Sequence, residues 1–187
     1  DDVTVLCGDL SWGMSLEESL LDFRFINALP GKKILLKGNH DYWWNTAAKM
    51  KRFFADNRLD TFEILHNNCL SYNDIALCGT RGWFYELDNQ GTHNEKVLLR
   101  EVGRLETSLK EAGDWEKLCF LHYPPIYQGY ECPEILRLLK EYEVKACYYG
   151  HLHGASHRRA IEGTRGGTLF SLVAGDFLGF IPKKICE

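Results

Sequence analysis

The sequence predicts an α/β fold, with a largely parallel sheet in the first half of the chain and a second sheet in the rest. In the first half, short apolar runs alternate with segments of helical periodicity, which is typical of a parallel sheet covered by helices. In the middle and at the C-terminal end, short β-prone runs follow one another with few helices between them. The 187 residues allow one substantial core, so we expect a single domain over residues 1–187.

The first half begins with a buried strand, a helix and a second strand. Residues 3–7 form a continuous β-prone run, which indicates a strand covered on both faces. Ser15, with Glu18 three positions later, forms a capping box, so we expect a helix from Ser15 that ends at Pro30. The run at 32–37 is predicted to be the second strand.

The next segment is predicted to contain a helix and three short strands. Asn45 or Thr46 can cap the helix, because a side-chain oxygen at that position accepts from the first free N–H groups. Turn-forming Asn and Asp pairs separate the three runs at 62–65, 69–72 and 75–78, so these are expected to form a hairpin or meander.

The remaining elements follow from the same signals. They are a loop at 79–90, a helix at 94–112, a strand at 117–121, a helix that begins at Pro133, and strands at 145–149, 157–161, 168–173 and 177–181.

Composition excludes several classes of function. The net charge of −4 argues against a nucleic-acid-binding surface, which is usually basic. No apolar run approaches the roughly 18 residues that a membrane span requires. Because the sequence enters a strand-like run directly after Asp1-Asp2, we expect no signal peptide. The seven Cys lack CxxC spacing, which favours buried thiols in a reducing, cytoplasmic setting over disulfides or a thiolate metal site.

Four predicted strands run into polar residues that can bind a metal or carry a proton. These segments are Gly8-Asp9, Gly38-Asn39-His40-Asp41, His122 and Gly150-His151-Leu152-His153. Alone, each has an ordinary alternative: a turn, or a core or surface histidine. Together, at the carboxyl ends of strands where α/β proteins place their sites, they predict one cluster. Oxygen and imidazole ligands suit Mn, Fe or Zn better than Ca.

In these motifs the sequence resembles the calcineurin-like metallophosphoesterases. The motifs of that family are Asp-x-His, Gly-Asp, Gly-Asn-His-Asp/Glu, His and Gly-His-x-His, and the last four occur here between Gly8 and His153. The resemblance implies a four-layer α/β/β/α sandwich of two mixed sheets, with the site at the carboxyl ends of the strands. It also implies two divalent or trivalent metal ions (Mn, Fe or Zn).

The resemblance assigns a role to each residue of the cluster. Asp9 would bridge both metals; Asn39, His122 and His151 would complete the shell of one, and His153 would bind the other. His40 would lie over the substrate phosphate, where it stabilises charge or protonates the leaving oxygen, and Asp41 would set its orientation.

The reaction implied is hydrolysis of a small phosphomonoester or phosphodiester by attack of a metal-bridging hydroxide. The first family motif, Asp-x-His, does not occur before Gly8, so we expect that this chain lacks the first strand of the domain at its N-terminus. The alternative is a non-catalytic scaffold of the same fold that binds a protein partner. A dinucleotide-binding protein is disfavoured, because no GxGxxG follows the first strand.

Two further signals are weaker. Arg81 and Trp83 follow the strand at 75–78, and we expect them to contact the substrate; a surface arginine beside a core tryptophan is equally consistent. The aromatic run Tyr42-Trp43-Trp44 either lines the pocket, stacks on a base or packs in the core, and core packing is favoured. The oligomeric state is left open.

Overall fold

A computed structural model describes residues 2–83 and 92–186 of the chain. It has four layers: two helices, a three-stranded sheet, a six-stranded sheet and two more helices. The predicted α/β/β/α sandwich is therefore confirmed. No helix in these two ranges has the length and apolar content needed to cross a membrane.

The strands, in chain order, are β1 (Val3–Leu6), β2 (Lys32–Leu35), β3 (Phe62–Ile64), β4 (Cys69–Tyr72), β5 (Ile75–Thr80), β6 (Glu116–Leu121), β7 (Ile126–Tyr127), β8 (Tyr130–Glu131), β9 (Ala146–Tyr149), β10 (Gly163–Arg165) and β11 (Thr168–Leu172). The α-helices are α1 (Leu20–Ala28), α2 (Ala47–Asp56), α3 (Thr92–Glu111) and α4 (Pro133–Glu141), and a 3₁₀ helix covers Gly154–Arg159.

The two sheets differ in how their strands run. The smaller sheet has the order β1-β2-β3, and its described pairs are parallel. The larger sheet has the order β10-β11-β9-β6-β5-β4 and is mixed, with parallel pairs in the middle and an antiparallel pair at each edge. Strands β7 and β8 form a separate hairpin. The parallel strands β1, β2, β6 and β9 provide the carboxyl ends at which the site lies.

Three apolar layers hold the sandwich together. Helices α1 and α2 cover the smaller sheet through a cluster centred on Phe23, which is fully buried and meets Trp43 and Phe54 edge-on at 4.8 and 5.6 Å. The two sheets meet through a layer that includes Ile34 and Phe120. Helices α3 and α4 cover the outer face of the larger sheet. Full burial of one such side chain contributes about 1.5–3 kcal/mol, so each interface is firmly held.

The start of α1 differs from the predicted one. The capping box at Ser15 forms, because the N–H of Glu18 donates to Ser15 Oγ at 3.2 Å and the Glu18 carboxylate accepts from the N–H of Met14 at 2.8 Å. The regular helix begins only at Leu20, whose N–H bonds back three residues to the carbonyl of Glu17. That bond belongs to a turn rather than to an α-helix. For α2, Thr46 is the cap, and it accepts from the N–H of Lys49.

Three predicted features are wrong. The run at 62–65 does not join the next two runs in a meander: β3 pairs with β2 in the smaller sheet, whereas the runs at 69–72 and 75–78 do form the expected hairpin as β4 and β5. The run at 157–161 lies largely in a 3₁₀ helix, where Ala160 N–H bonds to the His157 carbonyl. The run at 177–181 is a turn, because Gly179 and Phe180 have φ of 61° and 57° in the left-handed region.

The predicted loop at 79–90 is only partly described. Gly79 and Thr80 belong to β5, and residues 84–90 lie outside the described residues.

Candidate metal centre

Four polar side chains meet where the two sheets come together. Asp9 follows β1, Asn39 follows β2, His122 follows β6 and His151 follows β9. Because these strands are parallel within their sheets, their carboxyl ends lie on one edge of the sandwich. The smaller sheet supplies the two oxygen ligands and the larger sheet supplies the two imidazoles.

The ligand atoms of these four residues lie close together. Asn39 Oδ1 is 2.6 Å from His122 Nε2 and 2.9 Å from His151 Nδ1, and the two ring nitrogens are 3.3 Å apart. Asp9 Oδ2 is 3.5 Å from His122 Nε2. One ligand atom each from Asp9, His122 and His151 falls within 4.8 Å of the others. These separations match the spacing of ligand atoms around a single transition-metal ion, at about 2.0–2.2 Å from each.

The proton on His122 explains why a cation fits between these groups. Its Nδ1 lies 2.8 Å from the carbonyl oxygen of Cys7, so Nδ1 carries the proton and donates it there. The neutral ring then presents only a lone pair at Nε2, which faces the oxygen lone pairs of Asn39. A cation makes that contact favourable, and a backbone carbonyl on the other nitrogen is the usual support for a metal-binding histidine.

Both histidines are held in the neutral form that binds metal. Burial lowers the pKa of His122. Burial and then the neighbouring His122 lower the pKa of His151 to about 4. Burial, followed by the neighbouring Cys119, raises the pKa of the Cys7 thiol to about 12, so this thiol is protonated in the metal-free protein. Two imidazoles with two oxygens suit Mn, Fe or Zn.

Two glycines allow the loops after β1 and β2 to touch. A Cβ at Gly38 would lie 2.0 Å from Asp9 Oδ1, and a Cβ at Gly8, whose φ is 92°, would lie 2.5 Å from the nitrogen of Gly38. Asp9 and His151 themselves have φ of 57° and 69°. Left-handed backbone at a non-glycine residue costs free energy and is concentrated at functional sites.

Asp41 fixes the arrangement of these two loops. Its carboxylate is buried and accepts four hydrogen bonds. The donors are the backbone N–H groups of Asp9 (2.8 Å), Leu10 (2.9 Å) and Gly38 (2.6 Å) and the indole N–H of Trp43 (3.0 Å). The carboxylate thus bonds to the loop backbone, and any effect on the His40 ring passes through that backbone.

His40 lies next to the four-residue cluster. Its backbone N–H donates to Asp9 Oδ1 at 2.8 Å. Its ring faces the exposed Trp12 at 5.0 Å and lies 6.2 Å from Tyr42. Its Nδ1 is buried and has no hydrogen-bond partner in the part of the chain that the structure describes. Two residues of the aromatic run Tyr42-Trp43-Trp44 have different environments: Tyr42 is exposed beside His40, whereas Trp43 is buried in the core.

His153 is not part of the group of Asp9, His122 and His151, whose ligand atoms lie within 4.8 Å of one another. Its side chain is 56% exposed, and its Nδ1 donates to Asp176 Oδ1 at 2.8 Å. Asp176 also accepts from Gly154 N–H at 2.9 Å and has His157 Nε2 at 3.1 Å. Its pKa is lower than usual: burial opposes ionisation, but the bond from Gly154 and the two histidines outweigh it. The role of His153 as ligand of a second metal stays a prediction.

Sequence reasoning missed Asp176 and Trp12. Asp176 follows Gly175 just after β11, which is the same Gly-Asp signature that singled out Asp9 after β1. Trp12 lies three residues beyond Asp9, and a 78% exposed tryptophan there had no periodicity to mark it.

Arg81 and Trp83 contact each other beside the site. The Arg81 guanidinium lies 4.9 Å from the centre of the Trp83 ring, and its Nη2 lies 3.7 Å from the buried carboxylate of Glu101. The Arg81 carbonyl accepts the N–H groups of His122 and Tyr123 at 3.1 and 2.9 Å. The backbone of Arg81 thus supports the His122 loop, and contact of either side chain with substrate stays a prediction.

Comparison with solved structures supports the same fold. Eight chains match. One of them, a crystal structure, has a TM-score of 0.54, 13% sequence identity and a match over 90% of this chain and 78% of its own. At that identity the likeness concerns the fold alone. A search of curated proteins finds no significant match.

Comparison with family profiles is more specific. The profile of the calcineurin-like phosphoesterases matches residues 1–155, a segment that contains Asp9, Asn39, His122, His151 and His153. The match covers most of the 187 residues. The chain belongs to the calcineurin-like phosphoesterase family.

Proposed function

We propose that this protein is a metal-dependent phosphoesterase that hydrolyses a small phosphomonoester or phosphodiester. One observation carries the proposal above the others: His122 presents an unprotonated Nε2 to Asn39 Oδ1 at 2.6 Å, with Asp9 and His151 beside it. This donor set fits a Mn, Fe or Zn ion. The family match supports a phosphoesterase at the level of the family.

Two metal ions are proposed, held by different residues. Asp9, Asn39, His122 and His151 would hold the first, with Asp9 shared with the second. His153 would help to hold the second, with its ring oriented by Asp176. When bound, the ions act as Lewis acids toward the phosphoryl group and supply a nucleophile derived from water at neutral pH.

His40 is proposed to act on the substrate directly. Its backbone bond to Asp9 ties its position to the metal centre, and its ring lies between that centre and the exposed Trp12. A protonated imidazole there would stabilise negative charge on the phosphoryl oxygens or donate its proton to the leaving oxygen. Asp41 positions His40 by holding the Gly38 and Asp9 N–H groups, which fixes the loop that bears the ring.

The test is metal-dependent hydrolysis by the full-length protein. The protein is stripped with a chelator, reloaded with Mn²⁺, Fe²⁺ or Zn²⁺, and assayed with an aryl phosphate monoester and an aryl phosphate diester. We expect turnover of at least one ester after reloading and none after stripping. Asn39→Ala tests that the metal acts at this centre, with the exposed Asn73→Ala as the matched control. If reloaded protein hydrolyses neither ester, the proposal fails.

One observation favours the alternative, a non-catalytic scaffold of the same fold that binds a protein partner. The four-residue cluster would hold one ion, whereas His153 is not part of it and bonds to Asp176. A scaffold would bind metal without hydrolysing either ester. Retention of His40 beside the cluster supports the enzyme instead. A cytoplasmic location stays a prediction.

A further inference from the structure

A cavity of about 480 Å³ lies beside the metal centre, and its described lining is strongly basic. The cavity opens next to the ends of β2 and β5 and against one side of α3. Four of its lining residues are cationic, namely Lys37, Arg81, Arg100 and Arg104, and Glu101 is the single carboxylate among the described ones. The cavity therefore carries an excess of positive charge.

Glu101 holds the arginines in place but does not neutralise the cavity. Glu101 is fully buried, and its carboxylate accepts a hydrogen bond of 2.6 Å from Thr80 Oγ1 and one of 2.7 Å from Arg104 Nη1. Arg81 Nη2 lies 3.7 Å from the same carboxylate. One carboxylate offsets one positive charge.

Two buried polar atoms of the lining lack a partner. Arg81 Nε and His66 Nδ1 are both buried, and neither has a hydrogen-bond partner within the described ranges. A buried polar group without a partner costs about 1–3 kcal/mol, so its presence calls for an explanation. A ligand with acceptor oxygens in this cavity would satisfy the Arg81 donor.

The first turn of α2 adds to the positive potential. Thr46 and Ala47 line the cavity, and they form the N-terminal end of this ten-residue helix. The first N–H groups of a helix are unpaired within it, and they carry a partial positive charge that favours anions. Four cationic side chains and a helix N-terminus thus act on one space.

The cavity is connected to the metal centre through two short links. Lys37 directly precedes the Gly38-Asn39 segment that supplies a metal ligand. The Arg81 carbonyl accepts the N–H of His122, another ligand. A molecule with two anionic groups would therefore place one in each site.

We propose that this cavity binds a phosphate-type oxyanion, the second anionic group of a substrate whose scissile phosphate lies at the metal centre. The identification of that anion as part of a substrate rests on the proposed function; the anion site itself does not. A bisphosphorylated small molecule is the substrate class that fits.

The first experiment tests the anion site without the metal centre. Binding of inorganic phosphate to chelator-treated, full-length protein is measured by isothermal titration calorimetry. The test variant is Lys37→Gln with Arg100→Gln, and the control is Arg52→Gln with Arg137→Gln, which removes the same charge from residues exposed by 86% and 63%. We expect at least tenfold weaker binding in the test variant and less than a twofold change in the control. Equal binding by the test variant and wild type overturns the proposal.

A second variant keeps the result interpretable if the double variant is poorly folded. Arg100 is 56% exposed, so Arg100→Gln alone is tolerated, and its phosphate affinity should fall about threefold while its thermal midpoint is unchanged. An affinity equal to that of wild type would again overturn the anion site.

The third experiment tests whether the anion belongs to the substrate. Metal-loaded protein is titrated with alkanediyl bisphosphonates of increasing chain length and with the matching alkyl monophosphonates, which are not hydrolysed. At one length the bisphosphonate should bind at least tenfold more tightly than its monophosphonate, and the Lys37→Gln, Arg100→Gln variant should lose that advantage. If inorganic phosphate binds the cavity but no bisphosphonate gains affinity, the substrate assignment is wrong and the anion is a separate ligand.

The outcomes separate this proposal from the proposed function. Cavity-dependent phosphate binding without hydrolysis of any ester would leave the anion site standing and remove the phosphoesterase. Ester hydrolysis, together with phosphate binding that the cavity variants do not change, would support the phosphoesterase and overturn the anion site.

Discussion

The carboxylate of Asp41 accepts a hydrogen bond of 2.8 Å from the backbone N–H of Asp9, and this bond joins the loops that follow β1 and β2. The same carboxylate oxygen accepts from Gly38 N–H at 2.6 Å. Asp9 in turn accepts from the N–H of His40 at 2.8 Å. The two loops therefore hold a proposed metal ligand and the proposed catalytic histidine in one hydrogen-bonded unit.

Replacement of Asp41 should weaken both the fold and the metal centre. Asp41→Asn keeps the shape but removes the charge, and its NH₂ group faces donors that the carboxylate satisfied. Hydrogen bonds to a charged acceptor contribute about 1.5–3 kcal/mol, so we expect the free energy of unfolding to fall by about 2–3 kcal/mol. Urea unfolding of metal-free protein measures this. The exposed Asp56→Asn is the control, and a loss no larger than the control's would refute the role of Asp41.

A methyl group at Gly38 should displace Asp9. The added Cβ would lie 2.0 Å from Asp9 Oδ1, so Gly38→Ala must move that ligand or the loop. We expect Gly38→Ala to lose metal affinity, measured by titration with Mn²⁺. The matched control is Gly103→Ala in α3, where a Cβ meets nothing within 4 Å; it should gain about 1 kcal/mol of stability through helix propensity and keep its metal. Unchanged Mn²⁺ affinity in Gly38→Ala would contradict the packing described.

The stability of metal-free protein should rise with pH through the titration of His151. Its pKa is about 4 in the folded protein, against an ordinary 6.5. Between these values the unfolded chain binds a proton at this imidazole that the folded chain does not bind. The group therefore opposes folding as the pH falls from about 6.5 to 4, and its effect is constant above that window.

His151→Asn removes this titration. Urea unfolding of chelator-treated protein at several pH values should give a shallower dependence for the variant than for wild type over that window. His66→Asn, which removes another histidine of lowered pKa away from the cluster, is the comparison variant. Identical slopes for wild type and His151→Asn would show that the His151 pKa is not lowered.

Variants of the two groups of proposed ligands should differ in the number of metal ions that they retain. His151→Ala removes a ligand from the four-residue cluster, so affinity for the first ion should fall by more than the roughly 10–100-fold that loss of an outer partner costs. His153→Ala should keep that ion and lose the second. Metal content per protein, measured by elemental analysis after equilibrium dialysis, distinguishes the cases. Loss of both ions in His153→Ala would contradict the assignment of His153 to the second ion alone.

The parts of the fold with regular local patterns could be predicted from sequence. The run that forms β6 is continuously apolar, and Leu98, Leu105 and Leu109 of α3 recur on one face, so each element was visible from its own residues. The pairing of β3 with β2 depends on contacts between distant segments, which local turn signals do not encode. The prediction of a strand at 177–181 was wrong for a related reason. The backbone at Phe180 is left-handed, which a continuous strand does not allow, and the apolar pattern does not show this.

The site could be predicted as a set of residues but not as a geometry. Strand-end position and ligand chemistry singled out Asp9, Asn39, His122 and His151, which the structure brings together. The same reasoning placed His153 with them by its spacing from His151. Its ring donates from Nδ1 to Asp176, a residue 23 positions later in the chain. The network of Asp41 with backbone N–H groups was likewise invisible, because backbone donors carry no sequence signal.

The most direct test of the central claim is a paired measurement of bound metal and turnover in His40→Ala. His40 lies beside the metal centre without belonging to its four-residue cluster, so the variant should bind as much metal as wild type. Loss of a positioned acid should lower the turnover of an aryl phosphate by about 10²–10⁴-fold. Full metal content with that loss is the predicted result. Loss of metal, or full turnover with metal retained, would contradict the account.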